Sequence, residues 1–449
     1  MSSTIFDQTN YQLNYKLWQQ LNLSVSVRQT YQGLPASALF SMGLRVNKKR
    51  QFLFISKLIA KHLAVSPSIA LGTGTLLASL LMEKEGLPAV PQTQDLVRAI
   101  ESGVPNPVAA KESLRYISAL PDKTVFIGMA ETATGLGHSV FQHFEDAFYI
   151  HTTREDILGS TPSFIFEEEH SHATSHKVYA PKGMLEDAEA IVLIDDEIST
   201  GNTLLNLITA LDEQFPGKKY TSLSILDWRN GEQRQKFDLL AADRGLQIAV
   251  LSLMSGQFQL NYSASPEEPA LEKLIGTTVE QVQEIIEAET LPYESSTGQN
   301  YIGLTGRFGL SSEGQREIEE WAQKTVQGIR AVSEKPLVIG VGENMYLPLR
   351  FGLALSDKAI VQTTTRSPIF ASDTEDYPIK EKASFQLPDA EGVDQFIYNL
   401  NTLDIDRIYL LAESVLEESA WGPLIKYLEK KAPVEWISLT AAKRRNSAQ

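Results

Sequence analysis

The sequence predicts an α/β protein: a doubly wound parallel-sheet domain followed by a second α/β domain. Apolar runs at residues 125–128 and 191–194 each lead through a small, hydroxylated turn into an amphipathic segment, the pattern of a strand, a loop and a helix. Residues 336–369 repeat the order of residues 124–157 at an offset of 212. Because strand–helix–strand units form right-handed parallel crossovers, both stretches indicate parallel sheets.

Composition describes an ordinary globular chain. Of 449 residues, 43% are hydrophobic and 21% are charged, and the formal net charge is −16. This charge disfavours broad nucleic-acid binding, which needs a basic face. No apolar run is long enough to span a bilayer, and the N-terminus lacks the pattern of a signal peptide, so a cytoplasmic location is predicted. Because there is no cysteine, disulfides, thiolate catalysis and cysteine-ligated metals are excluded.

The first 60 residues are predicted to mix polar turns with amphipathic helix. Residues 51–63 place apolar side chains on one helical face, after a basic cluster at residues 47–50. This cluster is either a solvated helix start or a set of donors for a phosphate or an acidic substrate. The Gly-Thr-Gly at residues 72–74 is interpreted as a loop before a helix over residues 76–82, and another helix is expected over residues 111–119.

Residues 191–203 carry the most specific pattern of the chain. The apolar strand ends at Asp195 and Asp196, and a turn containing Gly201 then opens a helix over residues 204–211. Ligands of open parallel sheets bind outside the carboxyl ends of the strands, and a helix N-terminus suits a phosphate. The acidic pair can accept hydrogen bonds from two vicinal ribose hydroxyls. The pattern therefore predicts a ribose 5-phosphate site, with hydroxyl donors at Ser199, Thr200 and Thr203.

This stretch resembles the PRPP-binding signature of type I phosphoribosyltransferases of the orotate phosphoribosyltransferase-like kind. The resemblance implies that Asp195 and Asp196 hold the ribose hydroxyls. It also implies that Mg2+ bridges these hydroxyls and the pyrophosphate of PRPP. It implies that the 5-phosphate is bound by Ser199, Thr200, Gly201, Asn202 and Thr203. It also implies a pyrophosphate loop after the strand at residues 125–128, with a plain strand–helix turn as the alternative. The residues of that loop are Glu131, Thr132, Ala133, Thr134 and Gly135.

A polar stretch over residues 154–178 separates the strand at residues 147–152 from the acidic motif. It contains His170, His172 and His176, which suit a metal site, although their spacing is not that of a helical pair with a third ligand. By the resemblance, the stretch is instead a hood loop that closes over PRPP and excludes water. The resemblance also places Arg154 on pyrophosphate, for which a guanidinium suits bidentate contact. Glu131 and Glu197 are candidates for the general base by position.

The repeat at offset 212 contains eight identical residues in 34 positions, and Glu131 and Arg154 align with Glu343 and Arg366. We interpret it as a divergent duplication, with chance similarity of two such units as the alternative. In the strand predicted at residues 407–412, Ala412 and then Glu413 stand where the acidic pair would, and no Thr-Gly-x-Thr turn follows. The second copy should therefore not bind PRPP in the same way. It is expected to keep an anion or acceptor site around Glu343, Asn344, Tyr346 and Arg366.

The Thr-Arg-Ser-Pro at residues 365–368 resembles the signature of the TRSP domain, which follows an orotate phosphoribosyltransferase-like domain in proteins of tellurite-resistance-associated operons. Strands over residues 220–227 and 247–253 complete the first sheet, and a Ser- and Pro-rich stretch at residues 263–269 reads as a linker. The organisation expected is a PRPP-binding domain over residues 1–262, a linker and connector helix over 263–295, and a TRSP-type domain over 296–449.

Together these resemblances imply an enzyme that transfers a 5-phosphoribosyl group from PRPP to a base-like acceptor, releases pyrophosphate and makes a nucleotide-like metabolite. The same site could serve the reverse reaction. The alternative is a PRPP-binding sensor, or a regulatory or assembly protein without transfer. A homodimer is expected, with partner enzymes of the same pathway as further candidates.

Overall fold

The computed structural model describes residues 6–18, 21–45, 51–167, 175–261, 274, 281–388 and 392–442. The basic cluster at residues 47–50, the linker at residues 263–269, His170 and His172 lie outside these residues. Among the helices in the described ranges, none has the length and apolar character needed to cross a membrane.

The strands are, in chain order, β1 (Phe6–Trp18), β2 (Leu21–Tyr31), β3 (Phe40–Leu44), β4 (Phe52–Ser56), β5 (Ser118–Gly128), β6 (Phe144–His151), β7 (Phe164–Glu167), β8 (Ser175–Val178), β9 (Ala190–Ile198), β10 (Lys219–Asp227), β11 (Gln247–Asn261), β12 (Gln283–Glu284), β13 (Thr290–Glu294), β14 (Asn300–Ile302), β15 (Leu310–Ser311), β16 (Pro336–Gly340), β17 (Ile360–Thr363), β18 (Lys382–Phe385), β19 (Gln395–Tyr398), β20 (Arg407–Ala412) and β21 (Val434–Ser438). The α-helices are α1 (Ala36–Leu39), α2 (Pro67–Lys84), α3 (Thr93–Ser102), α4 (Pro107–Ser113), α5 (Ala133–Phe141), α6 (Asn202–Gln214), α7 (Gly231–Arg244), α8 (Ser312–Gly328), α9 (Tyr346–Leu355) and α10 (Gly422–Glu429).

Two sheets organise the chain. The first has eight strands in the order β1-β2-β11-β10-β9-β5-β6-β15, of which the five from β11 to β6 are parallel. The second has five strands in the order β12-β21-β20-β16-β17, and all its pairs are parallel. The predicted α/β class with a parallel first sheet and a second α/β domain is confirmed.

The helix predicted over residues 51–63 was wrong, because residues 52–56 form strand β4 in a hairpin with β3. Phe52 and Phe54 alternate along this strand, and Phe54 stacks on Trp228 at a ring-centroid distance of 4.7 Å. Aromatic packing on a period of two therefore overrides the helical pattern. The helix predicted over residues 111–119 ends early, since α4 stops at Ser113 and β5 begins at Ser118.

The Gly-Thr-Gly at residues 72–74 lies inside helix α2, not in a loop. A Cβ atom at Gly74 would come within 2.3 Å of the Ser139 Cβ atom of α5, so this glycine permits close packing of the two helices. The connector helix expected within residues 263–295 is not formed over residues 281–295, which contain strands β12 and β13. The hairpin of β13 and β14 spans the expected boundary at residue 296.

The second sheet repeats the first in order and register. Strands β10-β9-β5-β6 correspond to β21-β20-β16-β17. Thr124 of β5 faces Ala190 of β9, and Pro336, 212 residues after Thr124, faces Arg407 of β20. We call residues 6–261 the first half and residues 281–442 the second half. Matched registers in two sheets support the divergent duplication.

The two halves exchange short extended segments. Val65, just before α2, forms an antiparallel bridge to Val361 at the edge of the second sheet. Leu310, just before α8, pairs with Tyr149 at the equivalent edge of the first sheet. Tyr149 and Val361 are 212 residues apart. Each half thus completes the sheet of the other, as the subunits of a dimer with swapped elements do.

Helices α5 and α9 pack at the centre of this exchange. The ring of His138 stacks on the ring of Tyr346 at 3.7 Å, and the Tyr346 hydroxyl donates to Oε1 of Gln142 at 2.6 Å. The same hydroxyl accepts hydrogen bonds from Gln315 and Arg350. A buried polar network therefore joins the halves, and the chain folds as an internal pseudo-dimer.

Candidate active site at the carboxyl ends of the first sheet

A cleft of about 310 Å3 opens at the carboxyl ends of β5 and β9. It gathers most of the residues that the sequence pattern selected for PRPP. These are Glu131, Thr132, Arg154, Asp195, Asp196, Ser199, Thr200, Gly201 and Thr203. Residues that the sequence did not predict for this site also border it, namely Arg45, Leu53, Phe54, Ile59, Lys61 and Ser367. We call this the first cleft.

The acidic pair lies on β9 itself, because the strand continues past the apolar run as far as Ile198. Oδ1 of Asp195 accepts the backbone N–H of Asp196 at 2.9 Å. Gly201 precedes the first residue of α6 with a φ of 82°, in the left-handed region that favours glycine. A Cβ atom there would lie 2.7 Å from the Phe237 ring. Both the backbone conformation and the lack of space therefore require glycine at this position. The turn presents the N-terminus of α6 to the cleft.

The predicted pyrophosphate loop is split between two environments. Nζ of Lys61 donates to Oγ1 of Thr132 at 2.6 Å and lies 3.3 Å from Oε2 of Glu131, so these side chains border the cleft together. Thr134 instead donates to the carbonyl oxygen of Glu343 at 3.0 Å. Gly135 faces α9, and Ala133 is fully buried. Of the predicted loop, Glu131 and Thr132 thus face the ligand space, while Ala133, Thr134 and Gly135 do not line it.

Lys61 was missed by the sequence reasoning. It falls within the stretch mistaken for a helix, where a single lysine looks like part of a solvated face. Its side chain is only 9% exposed, which is unusual for lysine outside a paired or functional setting. The signal that could have found it is a lone cation shortly before Ser66, the N-cap of α2.

Of the three hood histidines, His176 lies within the described residues. Nδ1 of His176 hydrogen-bonds Oγ1 of Thr152 at 2.9 Å, and its ring stacks on Phe166. His176 is fully buried, so it positions Thr152 and does not line the cleft. Within the described residues, no group of three or more histidines and carboxylates could hold a metal ion. Asn202, at the first position of α6, also lies outside the cleft lining.

Each half holds the loop glutamate of the other. Oε2 of Glu131 accepts a hydrogen bond from the Thr365 hydroxyl at 2.8 Å, and Oε1 accepts the backbone N–H of Arg366 at 3.4 Å. The equivalent contacts run in the opposite direction: Glu343 accepts hydrogen bonds from the Thr153 hydroxyl at 2.8 Å and from the N–H of Arg154 at 3.3 Å. The Thr-Thr-Arg segments therefore cross between the halves.

A second cleft occupies the equivalent place in the second half, but its volume is about 30 Å3. Ala412 stands at the register of Asp195, and Glu413 stands at that of Asp196. The buried guanidinium of Arg307 fills this space, since it donates to Glu413 at 2.8 Å and lies 3.3 Å from Glu343. The loss of the acidic pair and the presence of Arg307 leave no room for a phosphoribosyl group.

The charge of Arg307 lowers the pKa of a carboxyl group that lines the second cleft. Burial by itself would raise the pKa of the Glu343 carboxyl, but Arg307 and the hydrogen bond from Thr153 hold that pKa below its ordinary value. Glu343 and Arg366, expected at a second anion or acceptor site, both border this small cavity. Tyr346, expected at the same site, lies instead in the interface network and does not line the cavity.

Comparison with known families finds two matches. Residues 39–257 match the family described as phosphoribosyl transferase. Residues 304–428 match the TRSP domain, described as lying C-terminal to that transferase domain. Among curated proteins, no match was found.

Solved structures of adenine phosphoribosyltransferases show a weak likeness. The Trypanosoma brucei protein is 19% identical, with a TM-score of 0.21, over 29% of this chain and 55% of that one, so this chain spans about half its length. The Giardia lamblia protein is 15% identical, with a TM-score of 0.24, over 48% and 94% of the two chains. The Leishmania donovani protein is 17% identical, with a TM-score of 0.22, over 40% and 79%. Such scores say nothing about the substrate of this chain. The two family matches, in the predicted order, show that the chain belongs to the proteins in which a phosphoribosyltransferase domain is followed by a TRSP domain.

Proposed function

We propose that the first cleft binds PRPP and transfers its 5-phosphoribosyl group to a base-like acceptor, with release of pyrophosphate. One observation carries this proposal: the acidic pair of β9, the left-handed turn at Gly201 and the loop at Glu131 and Thr132 all open onto one cleft. An ordinary strand–helix turn would not bring a second loop, and the buried Lys61 that contacts this loop, to the same space.

The first cleft divides into parts that suit the parts of PRPP. Backbone N–H groups at the start of α6, with the hydroxyls of Thr200 and Thr203, suit the 5-phosphate. Asp195 and Asp196 accept hydrogen bonds from the ribose hydroxyls. Lys61 and Thr132 lie toward the pyrophosphate, whose negative charge grows as the C1–O bond breaks.

Magnesium fits this set of donors. Mg2+ binds through one or two carboxylates together with substrate phosphates and water, so it needs no cage made only of protein ligands. Asp195 and Asp196 offer hard oxygen donors on the wall of the first cleft, and they would hold the ion together with PRPP. When bound, the ion would offset negative charge on the departing pyrophosphate.

The acceptor would lie against the apolar part of the first cleft. Leu53, Phe54 and Ile59 form this part, and Phe54 is backed by the ring of Trp228. A flat heterocycle buries well against such a wall, with few polar groups needed to orient it. An apolar wall opposite the ribose would also keep water from the carbon that develops positive charge. The acceptor nitrogen would then attack C1 as pyrophosphate leaves.

Calorimetric titration with PRPP and Mg2+, followed by pyrophosphate release over a panel of nucleobases and small heterocycles, tests the proposal. Acceptor-dependent release supports a transferase, and binding without release across the panel supports a PRPP sensor. Lack of binding by the wild-type protein contradicts both. Asp195→Asn with Asp196→Asn should abolish binding, since both ribose contacts lose their charge. A homodimer and a cytoplasmic location stay predictions.

A further inference from the structure

We infer that Arg366 of the second half, and not Arg154 of the first, supplies the guanidinium that binds pyrophosphate in the first cleft. The inference rests on the proposed function. A residue of the TRSP domain would then bind pyrophosphate in the first cleft.

The neighbours of the two arginines separate them. Both side chains border both clefts, but Ser367, which follows Arg366, lines only the first cleft. Glu155, which follows Arg154, lines only the second cleft. The Thr-Thr-Arg segment of each half therefore runs toward the cleft of the opposite half.

Hydrogen bonds fix the same crossing. The N–H of Arg366 and the hydroxyl of Thr365 are bound to Glu131, which borders the first cleft beside Lys61. Nη2 of Arg45, another residue of the first cleft, donates to the Ser367 hydroxyl at 3.2 Å. The equivalent contacts of Arg154 go to Glu343, in the cleft that Arg307 fills.

A second cation lies beside the Arg366 segment. Nζ of Lys61 lies 3.3 Å from Oε2 of Glu131, and Oε1 of the same carboxylate accepts the backbone N–H of Arg366. A pyrophosphate bound at this loop would therefore meet the ammonium of Lys61 as well as the guanidinium of Arg366.

Hydrogen bonds hold the Arg366 segment in place, as the equivalent backbone bonds between Thr153 and Lys177 hold that of Arg154. Thr365 and Phe396 exchange two backbone hydrogen bonds, of 3.1 and 2.8 Å, which tie the segment to β19. The Tyr398 hydroxyl accepts the N–H of Ile369 at 3.0 Å and donates to the carbonyl oxygen of Ser367. Because the backbone on both sides is fixed, the guanidinium can be presented with little loss of freedom on binding.

The test compares Arg366→Gln, Arg154→Gln and the surface control Arg98→Gln in the full chain. Affinities for PRPP, pyrophosphate and ribose 5-phosphate are measured by calorimetry with Mg2+, and Tm confirms folding. Loss of a charge-assisted contact should weaken PRPP and pyrophosphate by roughly tenfold to a hundredfold in Arg366→Gln. Ribose 5-phosphate, which lacks the pyrophosphate, should bind as before. Arg154→Gln should lose far less, and Arg98→Gln should match the wild type.

Arg366→Lys should recover part of the pyrophosphate affinity, since it keeps a point charge but not the bidentate fork. A larger loss in Arg154→Gln than in Arg366→Gln overturns the inference. So does an Arg366→Gln protein that loses ribose 5-phosphate to the same degree, or that binds pyrophosphate normally. Lack of PRPP binding by the wild-type protein would instead contradict the proposed function, and the inference about Arg366 would then fail with it.

Discussion

The hydroxyl of Thr365 donates a hydrogen bond of 2.8 Å to Oε2 of Glu131, a residue 234 positions earlier in the chain. Thr153 makes the same bond, also of 2.8 Å, to Glu343. These paired contacts tie the loop of each half to a strand end of the other. The first cleft is thus built from both halves, although only one half carries the PRPP motif.

Cutting the chain between the halves tests this dependence. A protease site inserted within residues 263–269, which the composition marks as a linker, would allow the chain to be cleaved between the halves after folding. We expect both fragments to co-elute in size-exclusion chromatography, because exchanged segments and the buried Tyr346 network hold them together. Elution as two separate species would contradict the pseudo-dimer.

Gly201→Ala should damage the phosphate turn. The positive φ alone costs about 1–2 kcal/mol for a residue with a Cβ atom, and the contact with Phe237 adds to it. Gly217→Ala is the matched control, since Gly217 has a φ of 79° and open space around it. Chemical denaturation should show the larger loss of stability for Gly201→Ala, and calorimetry should show weaker PRPP binding for that variant alone. Equal effects of both substitutions would argue against a special role of this turn.

Asp196→Asn and Glu413→Gln compare two register-equivalent acids. Asp196→Asn should remove PRPP affinity and leave stability nearly unchanged. Glu413→Gln should leave PRPP affinity unchanged but destabilise the protein by roughly 3 kcal/mol, because it strips a buried partner from Arg307. Urea denaturation and calorimetry measure the two quantities separately. A Glu413→Gln protein that lost PRPP binding would mean that the second cleft still takes part in function.

Acidification should weaken the fold through two buried histidines. Burial lowers the pKa of both His143 and His151 to about 4, from an ordinary value of 6.5. Between these values the unfolded chain binds more protons than the folded one. The stabilising contribution is therefore complete above about pH 6.5 and is lost as pH falls toward 4. In urea denaturation from pH 7 to pH 4, His143→Asn should lower the slope of stability against pH by about one proton. An unchanged slope would show that His143 is not neutral in the folded protein.

The core of the site was predictable because its physics is local. Strand, acidic pair and glycine turn follow one another within residues 191–203, so periodicity and turn chemistry identify them together. The decay of the second copy at Ala412 and Glu413 was equally visible, since a missing carboxylate is a matter of composition. Both inferences need no knowledge of what lies elsewhere in the fold.

The contribution of the second half could not be predicted, since it depends on contacts far apart in the chain. The sequence showed Glu131 and Arg154 aligned with Glu343 and Arg366, but not that each glutamate meets the arginine segment of the other copy. Lys61 was hidden for a related reason: strand β4 before it forms by packing against Trp228 and Phe258, which lie far along the chain. Tertiary packing, not local propensity, decided both outcomes.

The exchange of the extended segments at Val65 and at Leu310 also has an evolutionary consequence. In an assembly of two identical chains, every substitution appears on both sides of the symmetry axis, and dilution can separate the partners. Here one covalent chain holds both sides at a fixed ratio and a high effective concentration. One side was therefore free to lose its ligand pocket while it kept the surfaces on which its neighbour depends.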